Sequence, residues 1–284
     1  MKRKLFHSAA ALTLGFLVTP VALAQFGAGP AELELIKLQD DLYVIYNDFV
    51  PGNVTVLISD DGVLLVDNKY PVDFDNIMAL LATVTDQPVK YVINTHYHGD
   101  HSGSNAKLQA LNAHVFASEA ARSKMVEINQ PGLPNVTVID HMRLYVGGKP
   151  VDMYYFGRAH TDGDVVVHFP EHDTLAAGDI FTVGDDLPQL VDYAGGGSAR
   201  DWVSTLDGAL KLDFDTVVPG HGPVTNKQVM QNYRESTLRL RTTVRELLSQ
   251  NRSRDDVEAV MRSEFHWADL HVQMGLDGML IELR

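Results

Sequence analysis

The stretch Thr95-His96-Tyr97-His98-Gly99-Asp100-His101 puts three histidines and a carboxylate within six residues. Imidazoles this crowded compete for solvation and charge near pH 6.5 unless a cation takes their lone pairs, and neutral imidazole is the commonest metal ligand among side chains. A metal site is therefore the first expectation. A merely solvated histidine-rich loop explains the run poorly, because it stands between an apolar strand-like segment, Val89–Ile93, and a helical pattern beginning at Ala106. If the strand runs on to Thr95, residues two apart such as His96 and His98 face the same way, and a turn through Gly99 brings Asp100 and His101 to a neighbouring position. One strand end could then serve two metals.

Three more metal-capable residues follow at intervals, each where an apolar run stops: His160 in Gly157-Arg158-Ala159-His160, Asp179 after Leu175-Ala176-Ala177-Gly178, and His221 in Pro219-Gly220-His221-Gly222. Singly, each reads as a satisfied histidine, a helix cap or a turn residue. Their recurrence at strand ends favours one shared site. The glycines beside Asp179 and His221 permit close backbone approach. His114, His141, His168, His172, His266 and His271 lack such settings and read as surface or core histidines.

The elements that must position these groups alternate along the chain. Leu42–Tyr46, Val54–Ile58 and Val63–Val66 read as strands, with Asp61-Gly62 a hairpin signal. Between the first two, Phe49, Val50 and Pro51 are apolar at a hairpin tip, which suggests a flap over a substrate or a tip packed on its own domain. Phe74–Val84 has helical spacing before the strand Val89–Ile93, making a β-α-β unit. Asp67, ending the strand before it, reads either as a helix cap or as a carboxylate orienting a metal-bound histidine. His114–Ala117 is a strand, and Ser118 caps a helix running to Ile128. The Pro/Gly loop 129–135 is expected to divide two structural halves. Val136–Ile139, Arg143–Val146 and Val151–Phe156 resume as strands, and helices are expected over Arg200–Leu212, Thr225–Leu248 and Asp255–Arg262. The connection Ile180–Ser198 is long enough to be functional.

Composition bounds what this site can serve. The 284 residues, 45% hydrophobic, suffice for a sizeable core. Lys2, Arg3 and Lys4 precede an apolar run that ends in Ala22-Leu23-Ala24, the pattern of a secretory signal peptide, so residues 1–24 are expected to be removed and 25–284 to form the mature domain, periplasmic or secreted. Cysteine is absent, which excludes disulfides and thiolate ligands alike. A net charge of −14 disfavours nucleic acid and anionic membranes, leaving a small-molecule substrate as the expected partner.

The set His96-x-His98-x-Asp100-His101, with His160, Asp179 and His221 in that order, resembles the metallo-β-lactamase-fold superfamily over about Leu42 to Thr225. The resemblance implies an α/β four-layer αββα sandwich, two mixed β-sheets face to face with helices outside, and a dinuclear site at one edge. It implies two Zn2+, or iron or manganese in the same ligands. His96, His98 and His160 would hold the first metal, Asp100, His101 and His221 the second, and Asp179 would bridge both. Zinc lowers the pKa of bound water to about 7, which makes a hydroxide nucleophile at neutral pH. Asp100 is the expected catalytic residue, orienting that hydroxide and moving its proton.

The expected activity is β-lactam ring hydrolysis. Aspartate at 179 departs from the cysteine-ligand β-lactamases and is similar to glyoxalase II, the acyl-homoserine lactonases and other hydrolases of the superfamily. A lactonase, esterase or thioesterase, or an iron-dependent oxygen- or sulfur-handling protein, is the alternative. The lactonases' tyrosine three residues after the bridging acid is replaced by Thr182, and Arg158 is the one cation the sequence places beside the site.

Overall fold

A computed structural model describes residues 29–184 and 189–284. The signal-peptide reading of residues 1–24, the expected mature start at Gln25, and Asp185, Asp186 and Pro188 of the long connection lie outside the described residues.

Two mixed sheets form the centre. The first has the order β1 (Glu34–Lys37), β2 (Leu42–Tyr46), β3 (Val54–Ser59), β4 (Gly62–Val66), β5 (Val89–Ile93), β6 (His114–Ser118), β7 (Val136–Val138), antiparallel up to β4 and parallel from there. The second runs β13 (Thr225–Asn226), β12 (Thr216–Pro219), β11 (Thr174–Gly178), β10 (Val166–Phe169), β9 (Lys149–Tyr154), β8 (His141–Val146), with β11 and β12 parallel and the other pairs antiparallel.

Alternation along each strand builds the layers. In β4, Leu64 and Val66 face an inter-sheet core with Met153, Val167, Phe169 and Val218, while Val63 and Leu65 face α1 (Phe74–Leu81) and α3 (Asn105–Ala110) through Ile77, Leu81 and Leu108, with the short α2 (Gly99–Ser102) lying between these helices in the chain. In β11, Ala176 turns inward, whereas Leu175 and Ala177 face outward. After α4 (Glu119–Glu127), the outer layer on this side is α5 (Ala199–Ala209), α6 (Lys227–Ser249), α7 (Arg254–Phe265), α8 (Asp269–His271) and α9 (Asp277–Glu282), packed through Trp202, Leu206, Leu240, Met261 and Met279. Both faces of each sheet are thus covered, which explains strands that read as near-continuous apolar runs. The four-layer αββα sandwich is the expected one.

Local signals set most boundaries. The Ser118 hydroxyl accepts from Ala121 N to start α4, Asn226 does the same for Val229 N at α6, and Ser253 with Asp256 forms a capping box at α7. One expectation changes. Loop 129–135 does not separate the halves, because β7 beyond it still pairs with β6, and Asn135 is bound to Val115 on both its backbone and side-chain sides. The change of sheet falls between β7 and β8. The edge strand β1, whose burial is only partial, has no strong sequence signal and pairs with β2 from Glu34↔Tyr46 to Lys37↔Tyr43.

His271 is a core histidine, as expected: burial pushes its pKa down to about 4, and its Nδ1 accepts from Ala268 N at 3.3 Å. Unfolding returns it to about 6.5, so the unfolded chain binds more protons between these values, and stability present above pH 6.5 is lost as pH falls toward 4. Denaturant titrations of metal-free protein at pH 7 and 4.5 are expected to show a fall about 2 kcal/mol smaller for His271→Gln than for the natural chain. An identical fall in both would exclude His271 as a source of acid lability.

Candidate metal centre

Parallel neighbours release their chain ends at one edge, and this is where the ligand candidates collect. β4 ends into Asp67, β5 into His96, β11 into Asp179 and β12 into His221. His98 caps α2, whose first turn carries Asp100 and His101; the expected turn through Gly99 is thus helical. His160 lies in the loop between β9 and β10 rather than at a strand end, because β9 stops at Tyr154.

The seven groups converge. His96 Nε2 and His160 Nε2 lie 3.0 and 2.9 Å from His98 Nδ1. His221 Nε2 lies 3.2 Å from His101 Nε2 and 3.3 Å from Asp100 Oδ2, which is 3.5 Å from His101 Nε2. Asp179 stands between the two groups, with Oδ1 3.2 Å from His101 Nε2 and Oδ2 3.5 Å from both His160 and His221 Nε2. Three sets of donor atoms are close enough to hold a metal ion: His96-His98-His160, His96-His101-Asp179 and Asp100-His101-His221. Gly220 makes room for this: a Cβ there would come 2.0 Å from Asp179 Oδ1.

What lies behind the histidines decides which lone pairs face inward. The far nitrogen of His101 meets Asp67 Oδ2 at 2.8 Å, that of His98 meets Asp192 Oδ2 at 3.0 Å, that of His160 meets Leu190 O at 2.6 Å and that of His221 meets Phe49 O at 2.8 Å. His96 Nδ1 is 3.1 Å from Thr95 Oγ1, whose own proton goes to Asp67. Carboxylate and carbonyl oxygens only accept, so each outer nitrogen carries the proton and each inner one presents a lone pair. Bare lone pairs 3 Å apart repel unless cations lie between them. Asp179 Oδ1 is moreover buried without a hydrogen bond of its own. The donor set therefore fits divalent metal ions of the nitrogen- and oxygen-preferring kind.

The carboxylates create a field for positive charge at one end of the cluster. Burial alone would lower His101 and His221, but Asp179 and Asp100 raise His101 well above its ordinary pKa and His221 to about 10. Asp179 is correspondingly held well below the carboxylate range, in spite of burial, by His221 and His101. At the other end, burial and His101 push His96 well below its ordinary value.

Several of the supporting residues have no sequence signal. Asp192, on the long connection, also accepts from the Tyr97 hydroxyl, and that connection is pinned from outside by Glu282, whose carboxylate accepts from Tyr193 Oη at 2.8 Å and Ser198 Oγ at 2.5 Å. Asp67 proves to be the carboxylate behind His101 and caps no helix, since α1 starts only at Phe74 with Asp73 before it. Arg158 is not a site cation; it is tied to Asp201. The cation that does lie here is Lys69, fully buried and drawn down to about 7 by burial against the pull of Asp73, Asp100 and Asp67. None of the six histidines read as structural enters the cluster.

The model of the metallo-beta-lactamase superfamily matches residues 47–221, a span that holds every one of the seven convergent groups. The chain belongs to the metallo-beta-lactamase superfamily. It is similar to the metallo-beta-lactamase type 2 of Elizabethkingia meningoseptica, 27% identical over 219 residues that make up 74% of this chain and 87% of that protein. The type 2 enzyme of Bacillus cereus is 28% identical over 69% of this chain and 76% of its own length. The solved metallo-beta-lactamase from Pontibacter korlensis shares the fold at a TM-score of 0.65, with 22% identity, over 73% of this chain and 99% of that one. The family match together with these type 2 relatives marks this chain as a metal-dependent hydrolase. Among the described residues, no helix is long and apolar enough to cross a membrane.

Proposed function

We propose that this protein is an exported dinuclear zinc hydrolase that opens an amide or ester ring, with β-lactams as the substrate class to test first. The reading rests on one observation above all: inward-facing histidine nitrogens and two carboxylates converge, while every outer histidine nitrogen is tied to an acceptor. In this reading residues 1–24 are a signal peptide, the domain spans 25–284, and the mature enzyme acts in the periplasm or outside the cell.

His96, His98 and His160 would hold the first zinc ion and Asp100, His101 and His221 the second, with Asp179 between them. Bound zinc ions supply Lewis acidity, acidifying water and polarising a carbonyl oxygen. Asp67, Asp192, Leu190 O and Phe49 O fix the histidine rings so that their lone pairs keep their aim. Asp100 directs Oδ2 at His221, which leaves Oδ1 to accept a proton from the attacking water and return it to the leaving nitrogen or oxygen. Phe49, 43% exposed while its carbonyl is bound to His221, presents an apolar ring beside the site for the substrate's apolar part.

Purified protein from Gln25 onward is expected to turn over a chromogenic cephalosporin, to lose at least about 100-fold in rate on chelation, and to recover with zinc. Asp179, a carboxylate in place of a thiolate, favours a second reading, cleavage of lactones or thioesters. Faster lactone than lactam turnover would select it. Silence toward the whole panel would sink both, and iron in place of zinc on elemental analysis would favour oxygen or sulfur chemistry.

A further inference from the structure

Asp67-Asn68-Lys69 follows β4 with all three side chains buried, although Asp67 and Lys69 hold φ values of 65° and 55°. That left-handed backbone is costly for side chains of this kind and persists only when the surroundings demand it. The three heads go to three different elements. Asp67 takes His101, Asn68 binds Ser104 N at 2.8 Å and Asn105 Oδ1 at 2.6 Å, and Lys69 Nζ donates to Asn47 Oδ1 at 2.5 Å and Gly52 O at 2.7 Å.

The partners of Lys69 are unusual for a buried ammonium. Among the described residues no carboxylate lies within ion-pairing distance of it, and both its acceptors are neutral oxygens, one at each end of the apolar tip 48–51. Gly52 lies flat on His101, where a Cβ would come 2.2 Å from Cε1. Phe49 O receives His221 Nδ1, and Asn53 is bound to Gly220 O at 2.7 Å and to Pro219 O and Gly222 O at 2.9 Å. Residues 47–53 therefore back both histidines assigned to the second zinc ion, and Lys69 closes that segment from beneath.

We propose that Lys69 is a positioning residue that clamps the tip 47–52 and so holds His101 and His221 in register for the second metal ion. The inference builds on the dinuclear reading given above. Two effects of opposite sign are in play. As a positive charge, Lys69 would repel a cation, and its removal would tighten the second site; as a clamp, its removal would loosen it. Asp67, Asp73 and Asp100 offset its field through space, while its two hydrogen bonds have no substitute, so the clamp should dominate.

The test is zinc titration of metal-free full-length mature protein, read together with amide hydrogen exchange. In Lys69→Met the second zinc equivalent is expected to bind about 10- to 100-fold more weakly and the first to change by less than about 3-fold, while amides of 47–53 exchange at least about 10-fold faster. Lys69→Gln, which keeps an N–H donor without the charge, should recover much of both effects. Tighter second binding in Lys69→Met, or equal weakening of both equivalents, overturns the proposal. Should Lys69→Met fail to fold, Asn47→Ala is expected to change both readouts in the same direction and to a smaller degree, and unchanged exchange there overturns the clamp. If the natural protein binds a single equivalent, the dinuclear reading fails on its own, and exchange of 47–53 alone then decides for or against the clamp.

Discussion

Asp179→Ala is expected to leave a protein that holds one zinc ion where the natural chain holds two, with kcat/KM lowered by about 1,000-fold or more. The asymmetry follows from distance. Asp179 reaches within 3.2 Å of His101 and 3.5 Å of His221 on the second-ion side, against 3.5 Å from His160 and 4.0 Å from His96 on the first. Its carboxylate is also the leading source of the field that favours positive charge at His101 and His221. The residues proposed for the first ion, His96, His98 and His160, still form a three-nitrogen set whose outer hydrogen bonds to Thr95, Asp192 and Leu190 do not involve Asp179. Metal content after equilibrium dialysis, and titration with cobalt as a spectroscopic stand-in, read the two sites separately. Equal loss of both ions would overturn the assignment of ligands to sites.

The convergence of Asp179 and His221 was legible in the sequence because each stands where an apolar run ends and β11 and β12, being parallel, bring those ends to one edge, whereas His160 sits in a loop between antiparallel strands and joins them only through the fold. The layer architecture was legible for a related reason: strands covered on both faces, such as β4 and β11, are apolar throughout, and the helices between them keep a 3.6-residue period. The backing of the site was not. Asp192 reaches His98 across 94 positions and Glu282 reaches Tyr193 across 89, so no local spacing announces them. Lys69 resembles any charged residue near a turn, and only the left-handed backbone on both sides of Asn68 explains how it is buried. The C-terminal helices α8 and α9 are too short to carry a periodic signal; α9 packs into the core through Met279 and Leu280, and its Gly278 lies against Tyr193.

Asp100→Asn separates ligation from proton transfer at the residue assigned both roles. Burial alone would raise the Asp100 pKa, but His101 and His221 hold it well below the carboxylate range, so it is an ionised acceptor at neutral pH. Asparagine keeps the shape and one oxygen toward His221 and His101, now 3.3 and 3.5 Å away, but it cannot take up a proton. A drop in kcat of about 100- to 10,000-fold that persists at saturating zinc, with KM changed little, is the expected result, since that is the range positioned acid–base groups contribute. Lost charge should also weaken the second ion, which excess zinc then masks. Recovery of kcat with added zinc would reduce Asp100 to a ligand and move the proton-carrying role elsewhere. The substrate used matters to the outcome. A leaving amide nitrogen needs its proton before it departs, whereas the alkoxide or thiolate of an ester or thioester departs more readily without one. The Asp100→Asn deficit should accordingly be larger on a lactam than on a thioester, and a deficit of the same size on both would place the proton transfer before bond cleavage, at the attack of water.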